Sequence, residues 1–280
     1  MPNTFIPSSD TFMHFREYED FLFYYAVDNA HDDFVMHSHD ICELLFLKKG
    51  NPTYNVEGRS YQLSANYLVL TRPYERHNLT FSNASEYERY VFLFDEKRIF
   101  SDAFRKIPID IDIINFDNNA LVCRLFQKID YYIKVLEPEE FESILLTIIQ
   151  ELLYNIRLAA KTSHPDDYKI NPLLSDAIKY IDANILNPLN IDTICDELHI
   201  TKAYLHKLFV KHLQISPMQY ILSKKLAIAQ RELRMGAKAT DVYLTCGFTD
   251  YSTFYRCYKK QFGHAPSDEI NTTIVREIYS

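Results

Sequence analysis

The sequence has no cysteine pair at CxxC spacing: Cys42, Cys123, Cys195, Cys246 and Cys257 are odd in number and scattered along the chain. That absence excludes a zinc knuckle or a dithiol redox motif and makes a reduced cytosol the simplest setting. Between Met1 and Phe12 no basic segment leads into an apolar stretch, and no later apolar run reads as long enough to span a bilayer. Secretion and membrane insertion are therefore not expected, and a cytoplasmic location is. Low-complexity tracts are missing too, which argues against extensive disorder. What is present is ordinary globular material: 280 residues at 47% hydrophobic, enough for two buried cores at the usual ~100–200 residues per domain.

Basic residues are in the minority, 30 Lys/Arg against 38 Asp/Glu, and a net charge of −8 argues against a nucleic-acid partner until its distribution is considered. Residues 169–280 hold 14 Lys/Arg and 11 Asp/Glu, a balance of +3, which leaves −11 for residues 1–168. The C-terminal part is the candidate for a polyanion partner. A balance of +3 is compatible with DNA binding without being evidence for it.

From about Phe21 to Asp95 short apolar runs alternate with turn residues: FLFYYAV, ICELLFLKKG, PTYNV, SYQL, NYLVLTRP and YERYVFLFD. These read as strands, with Glu57-Gly58 as a hairpin turn, and their close spacing favours an antiparallel barrel or sandwich. Over 120–158 the period changes. Leu121, Leu125, Ile129, Tyr132, Ile133 and Leu136 recur at helical spacing, Glu137-Pro138 breaks the run, and Phe141, Ile144, Leu145, Ile148, Ile149, Leu152 and Ile156 resume it. This is a helical hairpin with apolar faces to bury. The stretch 161–170, KTSHPDDYKI, has no apolar period and reads as a linker between domains 1–160 and 171–280. Everything beyond it reads as helix: 171–186, 191–198, 202–212, 217–235, 239–246 and 251–262. The expected class is α+β multidomain, with an N-terminal antiparallel β-barrel (about 20–100) plus helical hairpin and an all-α C-terminal domain.

Within NIDTICDELHITKAYLHKLFVKHL, residues 190–213, Asn190 is suited to cap a first helix. His199-Ile200-Thr201 reads as a tight turn, and Thr201 is suited to cap the next helix. Ile191, Ile194, Cys195, Leu198, Leu205, Leu208 and Phe209 would form one small core, leaving Lys202, Ala203, His206, Lys207 and Lys211 exposed on the second helix. About fifty residues later the layout returns in KATDVYLTCGFTDYSTFYRCYKKQFGHAP. Here Gly247 supplies the turn and Asp250 the cap, while Val242, Tyr243, Cys246, Phe248, Phe254, Cys257, Tyr258 and Phe262 take the core roles. The exposed face is Tyr251, Ser252, Tyr255, Arg256 and Lys259. The helix between the units, SPMQYILSKKLAIAQRELRM, is a spacer able to set two recognition helices about 34 Å apart, one turn of B-DNA.

GFTDYSTFYRCYKKQFGHAPSD is similar to the signature of the AraC family of transcription regulators, and the resemblance spans about 171–270. Two positions depart from the pattern. Tyr243 stands where the family usually has alanine, and Gln214 where it commonly has glycine. The resemblance implies a double helix-turn-helix in which Ala203, His206 and Lys207 of one unit, and Tyr251, Ser252, Tyr255 and Arg256 of the other, face base edges of double-stranded DNA. An Arg256 guanidinium suits guanine O6 and N7, whereas Lys211, Lys259 and Lys260 suit phosphates. A plain solvated face is the alternative reading of the lysines, weakened by two capped units at a matching interval.

The segment His37-Ser38-His39-Asp40-Ile41-Cys42-Glu43, with Gly50, Pro73 and His77 later, resembles the cupin pattern HxHxxxE...G with a third histidine on a later strand. If 37–43 is extended, His37, His39 and Glu43 share parity and point into the barrel. With His77 they meet the ligand inventory for Zn, Mn or Fe. Three readings stay open here: a metal-dependent cupin enzyme, histidines that merely cap a strand end, and the reading favoured by the AraC resemblance. That last reading is a non-catalytic barrel binding a small effector such as a sugar, with Tyr54, Arg72 and Tyr74 adding polar and stacking contacts. The same resemblance makes an activator the commoner outcome, with RNA polymerase as a further partner. The hairpin stripe, through Leu121, Leu125, Ile148 and Leu152, is expected either to pair protomers as a homodimer or to pack on the barrel of its own chain.

Overall fold

The computed structural model describes residues 12–17, 21–30, 34–39, 41–83, 85–95, 101–104, 106–108, 111–161, 169–187, 189–234 and 236–271. They fall into two compact units, one drawn from residues up to 161 and one from 169–271, with the turn 57–59 counted in the second. The linker expected at 161–170 lies outside the described residues over 162–168.

In the first unit the strands are β1 (Phe12–Glu17), β2 (Phe21–Ala30), β3 (Cys42–Lys49), β4 (Thr53–Val56), β5 (Arg59–Gln62), β6 (Tyr67–Thr71), β7 (His77–Thr80), β8 (Ser85–Phe94) and β9 (Ile113–Asn115). One antiparallel sheet runs β1-β2-β8-β3-β6-β9, and a smaller one includes β5-β4-β7. Period-two alternation explains how the larger sheet buries both faces. Phe21 and Phe23, Cys42, Leu44 and Phe46, Leu68 and Leu70, and Tyr90, Phe92 and Phe94 go to one core. The intervening Leu22, Leu45, Leu47, Val69, Val91 and Leu93 go to a second core, shared with Tyr54, Val56 and Leu79 of the smaller sheet. Glu57 and Gly58, at φ 46° and 78°, make the β4–β5 turn, two successive left-handed residues as a tight hairpin of this hand requires. Strands β1 and β9 were not expected from the sequence, and β7 was signalled by the cupin resemblance at His77 and not by any apolar run.

Helices cover the first core: α1 (Ser101–Phe104), α2 (Ala120–Val135) and α3 (Pro138–Ala160). The Glu137-Pro138 break is the start of α3, where Glu137 and Glu140 form a reciprocal capping box and Pro138 occupies the first turn. Phe126 of α2 stacks 3.7 Å from Phe46, and Phe141 of α3 lies 5.7 Å from Phe23. The hairpin therefore packs on its own sheet. Leu125, Ile148 and Leu152 are buried there, which corrects their assignment as dimer contacts, while Leu121 stays exposed with Tyr131 and Val135. A second correction concerns α3, which is long and apolar enough to cross a membrane by length and composition alone. Eight of its residues, from Phe141 to Ala160, are buried in the sheet-facing core, so its apolarity has a partner inside the unit.

The second unit runs α4 (Pro172–Asn184), α5 (Ile191–Leu198), α6 (Lys202–Leu213), α7 (Pro217–Arg234), α8 (Ala239–Thr245), α9 (Tyr251–Phe262) and a 3-10 turn, Pro266–Asn271. It has two small cores, and α7 serves both. Its first turns give Tyr220 and Ile221 to a core with α4, α5 and α6, and its later turns give Leu226, Ala229 and Leu233 to a core with α8 and α9. Since 18 helical residues rise about 27 Å, α7 is a rod long enough to hold two helix-turn-helix units apart.

Candidate functional site

The first helix-turn-helix is α5 and α6. Asn190 accepts from Thr193 N–H, and Thr201 accepts from Tyr204 N–H, so both helix starts have side-chain caps. His199 takes the left-handed conformation (φ 53°) that ends α5 and turns the chain. Leu205, Leu208 and Phe209 anchor α6 in the core. Its other face is open: Lys202, Ala203, His206, Lys207 and Lys211 are all exposed. Lys202 is engaged by Asp192 of α5 at 2.5 Å. Gln214, at the position where glycine is common, adopts the glycine-like left-handed conformation (φ 57°, ψ 20°), and its N–H donates to Val210 O. The departure changes the side chain and keeps the turn.

The second unit, α8 and α9, repeats this construction. Gly247 (φ 72°) turns the chain, and a Cβ there would meet Lys225 Nζ at 2.7 Å and Leu186 O at 2.9 Å, so glycine is required by space as well as by conformation. Asp250 caps α9 by accepting from Thr253 N–H, a bond that holds its carboxyl below the usual range. Phe254 and Tyr258 are buried, whereas Tyr251, Ser252, Arg256, Lys259 and Lys260 are exposed and Tyr255 is half-buried. Among the described residues Arg256 makes long bonds within its own helix, at 3.4 Å to Ser252 O and to Thr253 Oγ1. Tyr243 fills space between α8 and α9 with its ring 5.7 Å from that of Tyr251.

In the first unit, His37 and His77 exchange both backbone hydrogen bonds, at 3.0 and 2.9 Å, as an isolated antiparallel bridge. Directly opposed residues share a face, and the two rings lie 4.3 Å apart. The 37–43 stretch is not one strand as expected, since β3 begins at Cys42, yet convergence is achieved. One ring nitrogen each of His37, His39 and His77 lies within 4.8 Å of the others. Glu43 Oε2 is 3.1 Å from His39 Nε2 and 3.7 Å from His77 Nε2. Every ring is pinned from behind: Nδ1–H donates to Val35 O from His37, to Ile41 O from His39 and to Glu75 O from His77, at 2.8–2.9 Å. His37 sits at the exposed rim, but the protein around its ring, helped by His77, lowers its pKa to about 4. Burial of Glu43 opposes its charge, and the hydrogen bond with His39 together with the nearby His77 imidazole outweighs that and holds the carboxyl well below the usual carboxylate range.

The remaining pocket candidates separate. Tyr54 is buried, its hydroxyl shared with Thr71 at 2.6 Å and its ring 6.3 Å from that of His77. Burial raises its pKa well above the ordinary phenol value. Arg72 is different: its guanidinium donates to Ile111 O and Pro108 O at 3.1 and 2.6 Å, so it fastens the segment before β9. That engagement corrects its assignment as a ligand contact. Tyr74 contributes backbone, a left-handed residue (φ 68°) whose N–H donates to His39 O at 2.7 Å.

The AraC-like ligand binding domain family matches residues 22–152, and a helix-turn-helix domain family matches residues 194–271. The chain belongs to the AraC family of transcriptional regulators. Its AraC-type relatives include the HTH-type transcriptional activator RhaS of Escherichia coli strain K12, 22% identical over an alignment of 253 residues, with 84% of this chain and 87% of RhaS covered. Among solved structures, ToxT from Vibrio cholerae strain SCE256 is 15% identical, with 93% of this chain and 98% of that one covered at a TM-score of 0.39. A probable AraC family transcriptional regulator from Rhodopseudomonas palustris CGA009 is 28% identical over 36% of this chain and 95% of its own, at a TM-score of 0.33.

Two residues that organise the AraC-type unit were not singled out from the sequence. Lys225 of α7 is buried and donates to Gly247 O at 2.8 Å and Asn187 O at 3.2 Å, joining the turn of the second unit to the chain before α5. Burial lowers its pKa. Glu269, in the 3-10 turn, accepts from Arg234 Nε at 2.7 Å, from Gln230 Nε2 at 3.1 Å and from the Tyr258 hydroxyl, with His264 Nε2 3.2 Å away. It clamps α7 to α9. Their hydrogen-bond partners lie 11 to 39 residues away, and no local pattern signals them.

Proposed function

We propose that this AraC-family regulator is a cytoplasmic transcription activator that binds double-stranded DNA through α6 and α9. The observation that carries this reading is the repeated construction of two capped, core-anchored helices, each with an exposed polar face. Ala203, His206 and Lys207 on α6, and Tyr251, Ser252, Tyr255 and Arg256 on α9, meet base edges, while Lys211, Lys259 and Lys260 meet phosphates. The activating sense is supported by RhaS, a transcriptional activator. A small-molecule effector, a sugar in this reading, enters the two-sheet unit beside Tyr54 and the histidines and shifts a balance between arrangements of the whole chain, with 161–170 as the linker. A second copy pairs through the exposed side of α2 around Leu121 and raises DNA affinity by effective concentration, and sedimentation as a monomer would end that part of the proposal. RNA polymerase is the remaining partner.

The test compares two substitutions on an operator selected from random DNA with the full chain. Arg256→Ala lowers discrimination at one base pair by about 10- to 100-fold, as loss of a bidentate guanine contact does. Lys260→Ala weakens binding to all sequences and reduces the salt slope by about one. Equal losses across sequences for both variants would remove Arg256 from base reading.

A further inference from the structure

Tyr243 is a large aromatic residue at a position where the AraC pattern usually has alanine. Its backbone is fixed, since its carbonyl accepts from Phe248 N–H at 2.9 Å and closes the turn after α8. Its side chain, half-buried against the core of the second helix-turn-helix, meets the start of α9. There the ring of Tyr251, the first residue of α9, stands 5.7 Å away at an interplanar angle of 80°, the edge-to-face arrangement that aromatic pairs prefer. Tyr251 itself is 36% exposed. Two further rings bound it from its own helix, Phe254 at 6.0 Å and Tyr255 at 6.3 Å, three and four residues on and so on the same face. Of these three neighbours Tyr243 alone reaches across from another helix. An alanine at 243 would leave the Tyr251 ring open on that side and free to change rotamer.

We infer that Tyr243 is a positioning residue for DNA recognition: it holds the Tyr251 ring in one orientation, and in that orientation the ring reads the C5 methyl of a thymine. The inference rests on the proposal that α9 enters the major groove, where the N-terminal residues of a recognition helix meet base edges. Thymine follows from the chemistry of a phenol. Its lone O–H donor finds an acceptor on every base pair, N7 or O6 of guanine, N7 of adenine or O4 of thymine, so the hydroxyl positions more than it discriminates. The apolar ring finds an apolar partner on one base, the thymine methyl. Contact of that kind is short-ranged, so its strength depends on where the ring points. A side chain that must be ordered on binding loses part of its contact energy to entropy, and a ring already packed on three others loses less. Tyrosine at 243 therefore turns an exposed aromatic side chain into a fixed apolar probe.

The test replaces each thymine of the selected operator by uracil in turn, which removes a methyl and nothing else, and measures the affinity of the full chain. At one position under α9 the wild type is expected to bind thymine about fourfold more tightly than uracil, the worth of one buried methyl. Tyr251→Ala is expected to abolish that preference, Tyr243→Ala to reduce it below about twofold, and Tyr243→Phe, which keeps the ring, to retain it. The preference is a ratio measured on one preparation, so a partly unfolded variant lowers both affinities and leaves the ratio unchanged. The guanine preference assigned to Arg256 controls for the seating of α9, and Tyr243→Ala is expected to keep it. Four results would each overturn the inference: uracil tolerated at every position by the wild type, a thymine preference that survives Tyr251→Ala, the wild-type preference in Tyr243→Ala, or loss of guanine and thymine discrimination together in that variant. All four leave the proposal of DNA reading standing. A wild-type chain that selects no operator overturns that proposal, and the role of Tyr243 with it.

Discussion

Phe254→Ala is expected to lower the stability of the DNA-reading unit by about 3–5 kcal/mol, the range for emptying a buried aromatic site. Phe254 has no exposed surface, and its ring lies 5.2 Å from Phe248, 5.5 Å from Tyr258 and 6.0 Å from Tyr251. These neighbours come from the turn after α8 and from α9 itself, so the cavity opens where the recognition helix is seated. The small core around it, with Val242 and Cys246 on one side and Leu226, Ala229 and Leu233 on the other, has little spare material to collapse into the gap. A loss of that size is a large share of the ~5–15 kcal/mol by which a domain is stable. Urea unfolding should show the midpoint of one transition shifted, with DNA affinity reduced in parallel. An unchanged midpoint would mean that α9 is held by something other than its apolar face.

Glu269→Ala is the polar counterpart and is expected to cost about 3–5 kcal/mol, as the loss of one member of a buried ion pair does. The side chain is fully buried and gathers Arg234, Gln230, Tyr258 and His264. Its removal takes the buried carboxylate away from a guanidinium and a phenol while leaving the exposed face of α9 untouched. Unfolding and DNA binding should fall together in Glu269→Ala, whereas Arg256→Ala should alter sequence preference at unchanged stability. Wild-type stability in Glu269→Ala would show that the clamp between α7 and α9 is dispensable.

The helical half was legible because its signals are local. Asn190, Thr201 and Asp250 cap as expected, Gly247 turns the chain, and α9 spans Tyr251–Phe262 as the apolar spacing predicts. The β half was less so. Strand β7, four residues reading HNLT, carries His77 but has no apolar alternation to announce it. Its ladder is with β4, where Val56 faces His77 and Thr53 faces Thr80, so β5 and β6 intervene in the chain between the two partners.

The histidine cluster was visible as an inventory of ligands, and its geometry was not. Extended parity over 37–43 predicted convergence, whereas the structure achieves it with a backbone bridge between His37 and His77 and a separate strand for Glu43. Arg72 shows the limit from the other side. A charged residue beside the pocket motif reads as a ligand contact until its carbonyl partners, 36 and 39 residues on, are known. The hairpin stripe likewise announces an apolar face without saying what covers it, and the six-stranded sheet does so for Leu125, Ile148 and Leu152.

In the proposed function one chain reads DNA with two helices held apart by α7, and a hydroxyl-radical footprint of the full chain on its selected operator is the decisive measurement. Two protected patches per chain are expected, about one helical turn or ~34 Å apart on the same face of the duplex, with Arg256→Ala altering one patch and leaving the other. A single patch, or two patches on opposite faces, would rule out this mode of DNA reading.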